Sequence, residues 1–161
     1  MKRLFRVPET GELSVSVGLL VLRGVVAGSM LIKHGLEKVL HFSAMAQHFP
    51  DPIHIGPVPS LVCAMIGDFV CNILLIFGVA TRWAALFSFV NLFVAWGLVH
   101  DFAFFGKPGE HGELIVLYLA VMCALTLTGP GRFSVDWVLS KRRSETGGRS
   151  VREDGSAVVA G

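Results

Sequence analysis

VPSLVCAMIGDFVCNILLIFGVATRWAALFSFVNLFVAWGLVHDFAFF, residues 58–105, is a nearly continuous apolar tract. A helix that crosses a bilayer needs about 20 largely apolar residues, and this tract holds two such lengths. Thr81 and Arg82 separate them, so 58–80 and 83–105 must fold back on each other through a tight turn. A soluble helix of that length shows a polar face at helical spacing. Segment 83–99 carries no charge and, beyond Ser88 and Asn91, almost no polar side chain. Lipid leaves no partner for open backbone groups, so each segment is expected to be helical.

Outward from this hairpin, 14–38 and 112–129 have the same character. The expected fold is all-α, an integral membrane antiparallel four-helix bundle with both termini cytoplasmic. Composition agrees: 53% of the 161 residues are hydrophobic, 16% are charged, and mean hydropathy is +0.64. That leaves too little polar surface for a soluble domain of this size. The chain divides into a cytoplasmic N-terminal segment, 1–13, a membrane domain, 14–139, and a polar tail, 140–161. The tail lacks hydrophobic periodicity and reads as a disordered cytoplasmic extension. Arg23 interrupts the first apolar run, and no small-residue cleavage pattern follows it, so that run reads as a span rather than a signal peptide.

Orientation follows from lysine and arginine near the span ends. Lys2, Arg3 and Arg6 precede the first span, Arg82 lies in the second connection, and Arg132, Lys141, Arg142 and Arg143 follow the fourth. All six histidines lie at the opposite end: His34 and His100 close apolar stretches, and His41, His48, His54 and His111 sit in connections. That end is expected to face outward. Cys63 and Cys71 fall on one helix about 12 Å apart along its axis, too far for a disulfide. Cys123 lies mid-span, and no CxxC pair exists. Phosphate-loop, dinucleotide-glycine and nucleophile-elbow motifs are absent from the sequence, and the acid-interleaved basic tail does not argue for nucleic acid.

Ionisable residues within the spans carry the functional signal, because a charge there costs several kcal/mol unless paired or hydrated. Arg23 and Asp68 each lie about ten residues into a span from opposite ends, so an Arg23–Asp68 ion pair is expected, with Asn72 one turn from Asp68 as a hydrogen-bond partner. This pair would fix helix register or gate a pocket. Arg23, Ala27, Met30, His34 and Lys38 recur at spacings of three and four and form one stripe. His34 and Lys38 at its upper end, with His100 and Glu113 at about the same level, make a candidate proton-handling or ligand site, since imidazole titrates near neutral pH. No HxxxH, HxH or HExxH pair is present, and Pro50, Pro52, Pro57 and Pro59 prevent a helix that would align His41, His48 and His54. No metal site is assigned.

Several stretches together resemble the DoxX family of small four-helix bacterial membrane proteins. They are His34-Gly35-Leu36-Glu37-Lys38, Phe49-Pro50-Asp51-Pro52 with Ile55-Gly56, Gly78-Val79-Ala80-Thr81-Arg82, Glu113-Leu114 with Tyr118, and Gly129-Pro130-Gly131-Arg132-Phe133-Ser134-Val135-Asp136. The resemblance spans roughly residues 14–137. It marks His34, Lys38, Asp68, Arg82, Glu113 and Arg132 as family-like polar positions. Asp68 stands where the family usually carries glutamate, and His54 where glycine is usual. The resemblance implies an inner-membrane, multi-pass protein linked to redox and oxidative-stress systems, the family taking its name from a subunit associated with thiosulfate:quinone oxidoreductase.

These readings lead to a membrane component of a quinone-linked redox system. Quinone is the candidate cofactor, and a partner protein would carry the redox centre. A non-catalytic anchor or assembly subunit is the alternative, and a carrier for a small solute or metal, working as a homo-oligomer, the third.

Overall fold

The computed structural model of the chain describes residues 9–100, 102 and 112–142, and every regular element among them is helical. Helix α1 runs Glu9–Met30, passes through a π turn at Leu31–Gly35 and ends as Leu36–Leu40. The short α2 is Phe42–Met45. Helix α3 comprises Pro57–Met65, a π turn at Ile66–Val70, and Cys71–Phe77. Helix α4 is Thr81–Val94 continued by a π turn at Ala95–Val99. Helix α5 is Gly112–Thr128, and α6 spans 135–142.

Leu13–Leu40, Pro57–Phe77 and Thr81–Val99, with 28, 21 and 19 residues, are each long and apolar enough to cross a bilayer. Helix α5, with 17 residues, is at the short end of the usual range of about 17–25. The chain is a multi-pass membrane protein with a helical bundle. The third span is shorter than its apolar run: it ends at Val99, where the His100 N–H returns to the Ala95 carbonyl at 3.1 Å and Phe102 takes φ +53°. Residues 103–105, His111, the segment 1–8 and the tail beyond 142 lie outside the described residues.

Successive helices α1, α3, α4 and α5 pack side by side, and α5 closes against α1. Ala27, Met30, Leu75, Ala85, Met122 and Leu125 are fully buried at the centre. The alanines let helix backbones approach closely, the usual currency of packing where lipid removes the hydrophobic drive between helices. Ile32, Trp83 and Leu127 are 71%, 75% and 73% exposed. Such side chains belong against acyl chains, which the hydropathy of the helices also requires.

At the basic end, the α3–α4 connection and the segment after α5 are locked together. Helix α3 stops in a Schellman motif: the Gly78 N–H reaches the Leu75 carbonyl at 3.1 Å and the Val79 N–H reaches that of Leu74 at 2.9 Å. Gly78 has φ +69°, a conformation that favours glycine. The Asp136 carboxylate then accepts the N–H groups of Ala80 at 2.8 Å and Thr81 at 2.9 Å. It caps α4 from a distant part of the chain, meeting both its open donors and its dipole. In return the Asp136 N–H donates to the Gly78 carbonyl at 3.0 Å. Ser134 caps α6, its Oγ accepting the Trp137 N–H at 3.1 Å.

At the histidine end, Asp51 organises the loop that starts α3. One carboxylate oxygen accepts from the Ser60 hydroxyl at 2.7 Å and the Ile55 N–H at 3.0 Å, and the other from the Gly56 N–H at 2.7 Å. Donation from Ser60 first, then from the Gly56 and Ile55 amides, holds this carboxyl below its ordinary value. A carboxylate whose folded pKa is depressed contributes stability above the unfolded value of about 3.9. That contribution is lost as pH falls through the folded value. The protection of the Gly56 amide against exchange, measured by NMR relative to an unstructured amide at the same pH, is therefore expected to fall on acidification below about pH 4, with this loss absent in Asp51→Asn.

Candidate functional site

The polar centre of the bundle is an ion pair between α1 and α3. Lys38 Nζ donates to Asp68 Oδ2 at 2.8 Å, with the two side chains 13% and 9% exposed. Asn91 Nδ2 on α4 donates to the other carboxylate oxygen, Oδ1, at 3.0 Å. A second donation from Lys38 reaches the His34 carbonyl at 3.3 Å. One carboxylate thus joins three helices.

Helix geometry explains the pairing. A Cα–Cβ bond tilts toward the N-terminus of its helix. Lys38 on α1 therefore leans back toward the bundle centre, and Asp68 on the antiparallel α3 leans up toward the histidine end. Their side chains converge.

Asp68 and His34 both lie within π turns. A π turn breaks the regular i→i−4 ladder and recurs at functional sites. Side-chain donors meet the carbonyls at this break. Asn72 Nδ2 donates to the Gly67 and Asp68 carbonyls, both at 3.0 Å, and Ser88 Oγ donates to Gly67 at 3.0 Å. Asn72 is fully buried, and its Oδ1 has no hydrogen-bond partner among the described residues. Asn72 thus holds the backbone beneath Asp68, while Asn91, which spacing alone does not single out, holds the carboxylate.

The expected Arg23–Asp68 pair does not form. Arg23 is 1% exposed, yet its guanidinium turns away from Asp68. Nη1 donates to the Pro130 carbonyl at 2.7 Å and Nη2 to that of Phe133 at 2.6 Å. The same tilt rule accounts for this: on α1, Arg23 leans toward the basic end, away from Asp68. The carbonyls that follow α5 are a natural partner for a cation, because the helix dipole leaves that end negative.

Of the other candidate residues, His34 is half-buried on the inward stripe, which includes the fully buried Ala27 and Met30. The charges acting on its ring are those of Lys38, Asp68, Glu37 and Lys33. Glu113 lies exposed in the first turn of α5, and His100 lies exposed just past α4. The structure thus groups His34, Lys38 and Asp68 but leaves Glu113 and His100 at the rim. Arg82 and Arg132 are also exposed; Arg82 lies over Gly129, where an added Cβ would sit 3.1 Å from its Nε. Among the described residues, no group of three His, Cys, Asp or Glu is placed to hold a metal ion.

The two π turns are pressed together at Gly35. A Cβ there would collide with the Asp68 carbonyl oxygen and lie 2.9 Å from its carbon and 3.0 Å from Phe69 Cα. All three are backbone atoms, so no side chain can swing aside. Gly35→Ala is expected to cost about 1–3 kcal/mol by overpacking, read as a lower unfolding midpoint in detergent. It should also loosen the Lys38–Asp68 contact.

Comparison with known proteins fits this architecture. A profile of the DoxX family matches residues 18–101. An uncharacterized protein of Haemophilus influenzae is 30% identical over 129 residues, covering 78% of this chain and 85% of the relative. No solved structure matches the chain. The matched region contains the Gly35 contact, the Lys38–Asp68–Asn91 centre and the Gly78 turn, and over it the chain belongs to the DoxX family.

Proposed function

We propose that the chain is the membrane component of a quinone-linked redox system in the inner (plasma) membrane. Both termini would be cytoplasmic and the histidine end outward, as the distribution of lysine and arginine supports. The observation that carries this reading is the Lys38–Asp68 pair, buried among spans with His34 beside it. Ionisable groups at such depth mark proton or ligand sites by default.

A quinol that gives up two electrons also releases two protons. The proton acceptors in this site are the Asp68 carboxylate, once it parts from Lys38, and the His34 imidazole. Lys38 would favour an anionic reduced form of the ring, and Asn91 would keep the carboxylate in place. A redox centre to take up the electrons would have to be supplied by a partner protein. Glu113 and His100, exposed at the rim, would pass protons onward. With Arg23 engaged at the other end, the floor of the site falls to Asn72 and Ser88.

Native mass spectrometry with lipid extraction, on protein gently purified from its own membranes, tests this. A retained quinone that is lost in His34→Ala supports the reading, and protein without any lipid-soluble cofactor overturns it. The anchor reading has its own observation: Arg23 and Asp136 are spent on the backbone of the bundle itself. Under that reading a soluble enzyme co-purifies and His34→Ala has little effect.

A further inference from the structure

We propose that the break in α3 binds one internal water molecule, hydrogen-bonded to Asn72 Oδ1 and Ser88 Oγ beneath Asp68. This site lies inside the bundle and does not depend on whether a quinone binds above it.

The carboxamide of Asn72 fixes where its acceptor points. Nδ2 donates to the Gly67 and Asp68 carbonyls, both at 3.0 Å, so the amide hydrogens face the π turn. Exchanging nitrogen and oxygen would set Oδ1 against two carbonyl oxygens, and that orientation is excluded. Oδ1 therefore faces away from the turn. It is an acceptor with no hydrogen-bond partner among the described residues, on a side chain that is 0% exposed. A buried acceptor left in that condition costs about 1–3 kcal/mol, which a donor would recover.

The neighbouring side chains have none to give. Ser88 is fully buried, and its hydroxyl donates to the same Gly67 carbonyl at 3.0 Å. Ser88 is also the side-chain partner of the Cys71 thiol; with its own hydrogen spent, it accepts that bond. Asn91 turns instead to the Asp68 carboxylate. Met30, Leu75 and Met122, fully buried at the centre, carry no side-chain N–H or O–H. An acceptor so enclosed admits only a small donor.

Water meets these terms. An internal water makes two to four hydrogen bonds to buried polar groups, and ordered waters re-satisfy transmembrane helices where the ladder is broken. Asn72 Nδ2 and Ser88 Oγ each sit 3.0 Å from one carbonyl oxygen, so the carboxamide and the hydroxyl are near neighbours. A single water bridges partners about 5.5 Å apart. One of its hydrogens goes to Oδ1 and the other to the remaining lone pair of Ser88 Oγ.

A map of the full chain in nanodiscs, at a resolution that shows ordered water, tests the proposal. It should carry a peak about 2.7–3.2 Å from both Asn72 Oδ1 and Ser88 Oγ. In Ser88→Ala the peak should be lost, because one partner does not hold a buried water. Solid-state NMR in deuterated lipid should show magnetisation transfer from water to the Asn72 Nδ2 hydrogens of the native chain. A native map with ordered water elsewhere and no density at Oδ1 overturns the proposal, as does native protein without that transfer. Density that persists unchanged in Ser88→Ala, or is too large for water, also overturns it. Both native readouts stand even if Ser88→Ala fails to fold.

Discussion

Lys38→Ala is expected to be the most damaging single substitution in the bundle, costing about 3–5 kcal/mol. Its partner Asp68 would remain in place with Asn91 as its side-chain donor, an uncompensated charge among apolar helices. The cost reflects that stranded charge more than the worth of the pair, because desolvating two ions cancels most of their attraction. Replacing both at once, with Lys38→Met and Asp68→Leu, is therefore expected to restore most of the lost stability. Thermal unfolding in detergent reads both variants. An unfolding midpoint for Lys38→Ala equal to that of the native chain would mean that the pair is not formed in solution. The double variant then separates chemistry from scaffold. If it is stable but retains no quinone, the pair acts on a ligand; if it is stable and fully competent, the pair only sets helix register.

Much of this site was legible before any coordinates. Arg23, His34, Lys38 and Asp68 announce themselves as ionisable residues in apolar tracts, and the spacing of the stripe correctly turns Ala27 and Met30 inward. Depth counted from Cα positions alone pairs Arg23 with Asp68, whereas Lys38 is the partner. Arginine and lysine side chains are long enough to move a charge by more than a helical turn, and the tilt of the Cα–Cβ bond fixes the direction. Applied to antiparallel helices, that rule sends Arg23 to the basic end and brings Lys38 to Asp68. The π turns are a different matter. They insert a residue into the helical phase, and no residue type in LIKHG or IGDFV signals them. A helical wheel drawn through them loses register, and spacing along one helix does not show that Asn91 on α4 meets Asp68 on α3. The two motifs that carry the family resemblance at the basic end, GVATR and GPGRFSVD, prove to be halves of one fastening. Asp136 joins them, and nothing in either motif alone says that its carboxylate caps a helix 55 residues earlier.

Arg23→Met should give the second large effect, a loss of about 2–4 kcal/mol, because charge-assisted hydrogen bonds to two carbonyls are removed together. Methionine fills the same apolar shaft but leaves the Pro130 and Phe133 carbonyls without their donor. Arg23→Lys should recover only part of this, since a single ammonium on a shorter reach does not reproduce the fork of the guanidinium. Loosening should appear locally, as faster proteolysis within Gly78–Arg82 and in the segment after α5. A double-mutant cycle decides which partner Arg23 has. Arg23→Met and Asp68→Asn act on different contacts, so their effects should add to within about 0.3–0.5 kcal/mol. A coupling of 1 kcal/mol or so, well above that limit, would mean that arginine and aspartate sense each other within the bundle. Arg23 would then belong with the ion pair at the histidine end. Additivity, with the damage confined to the basic end, would make Arg23 part of the fastening and leave Lys38, Asp68 and His34 as the groups free for chemistry.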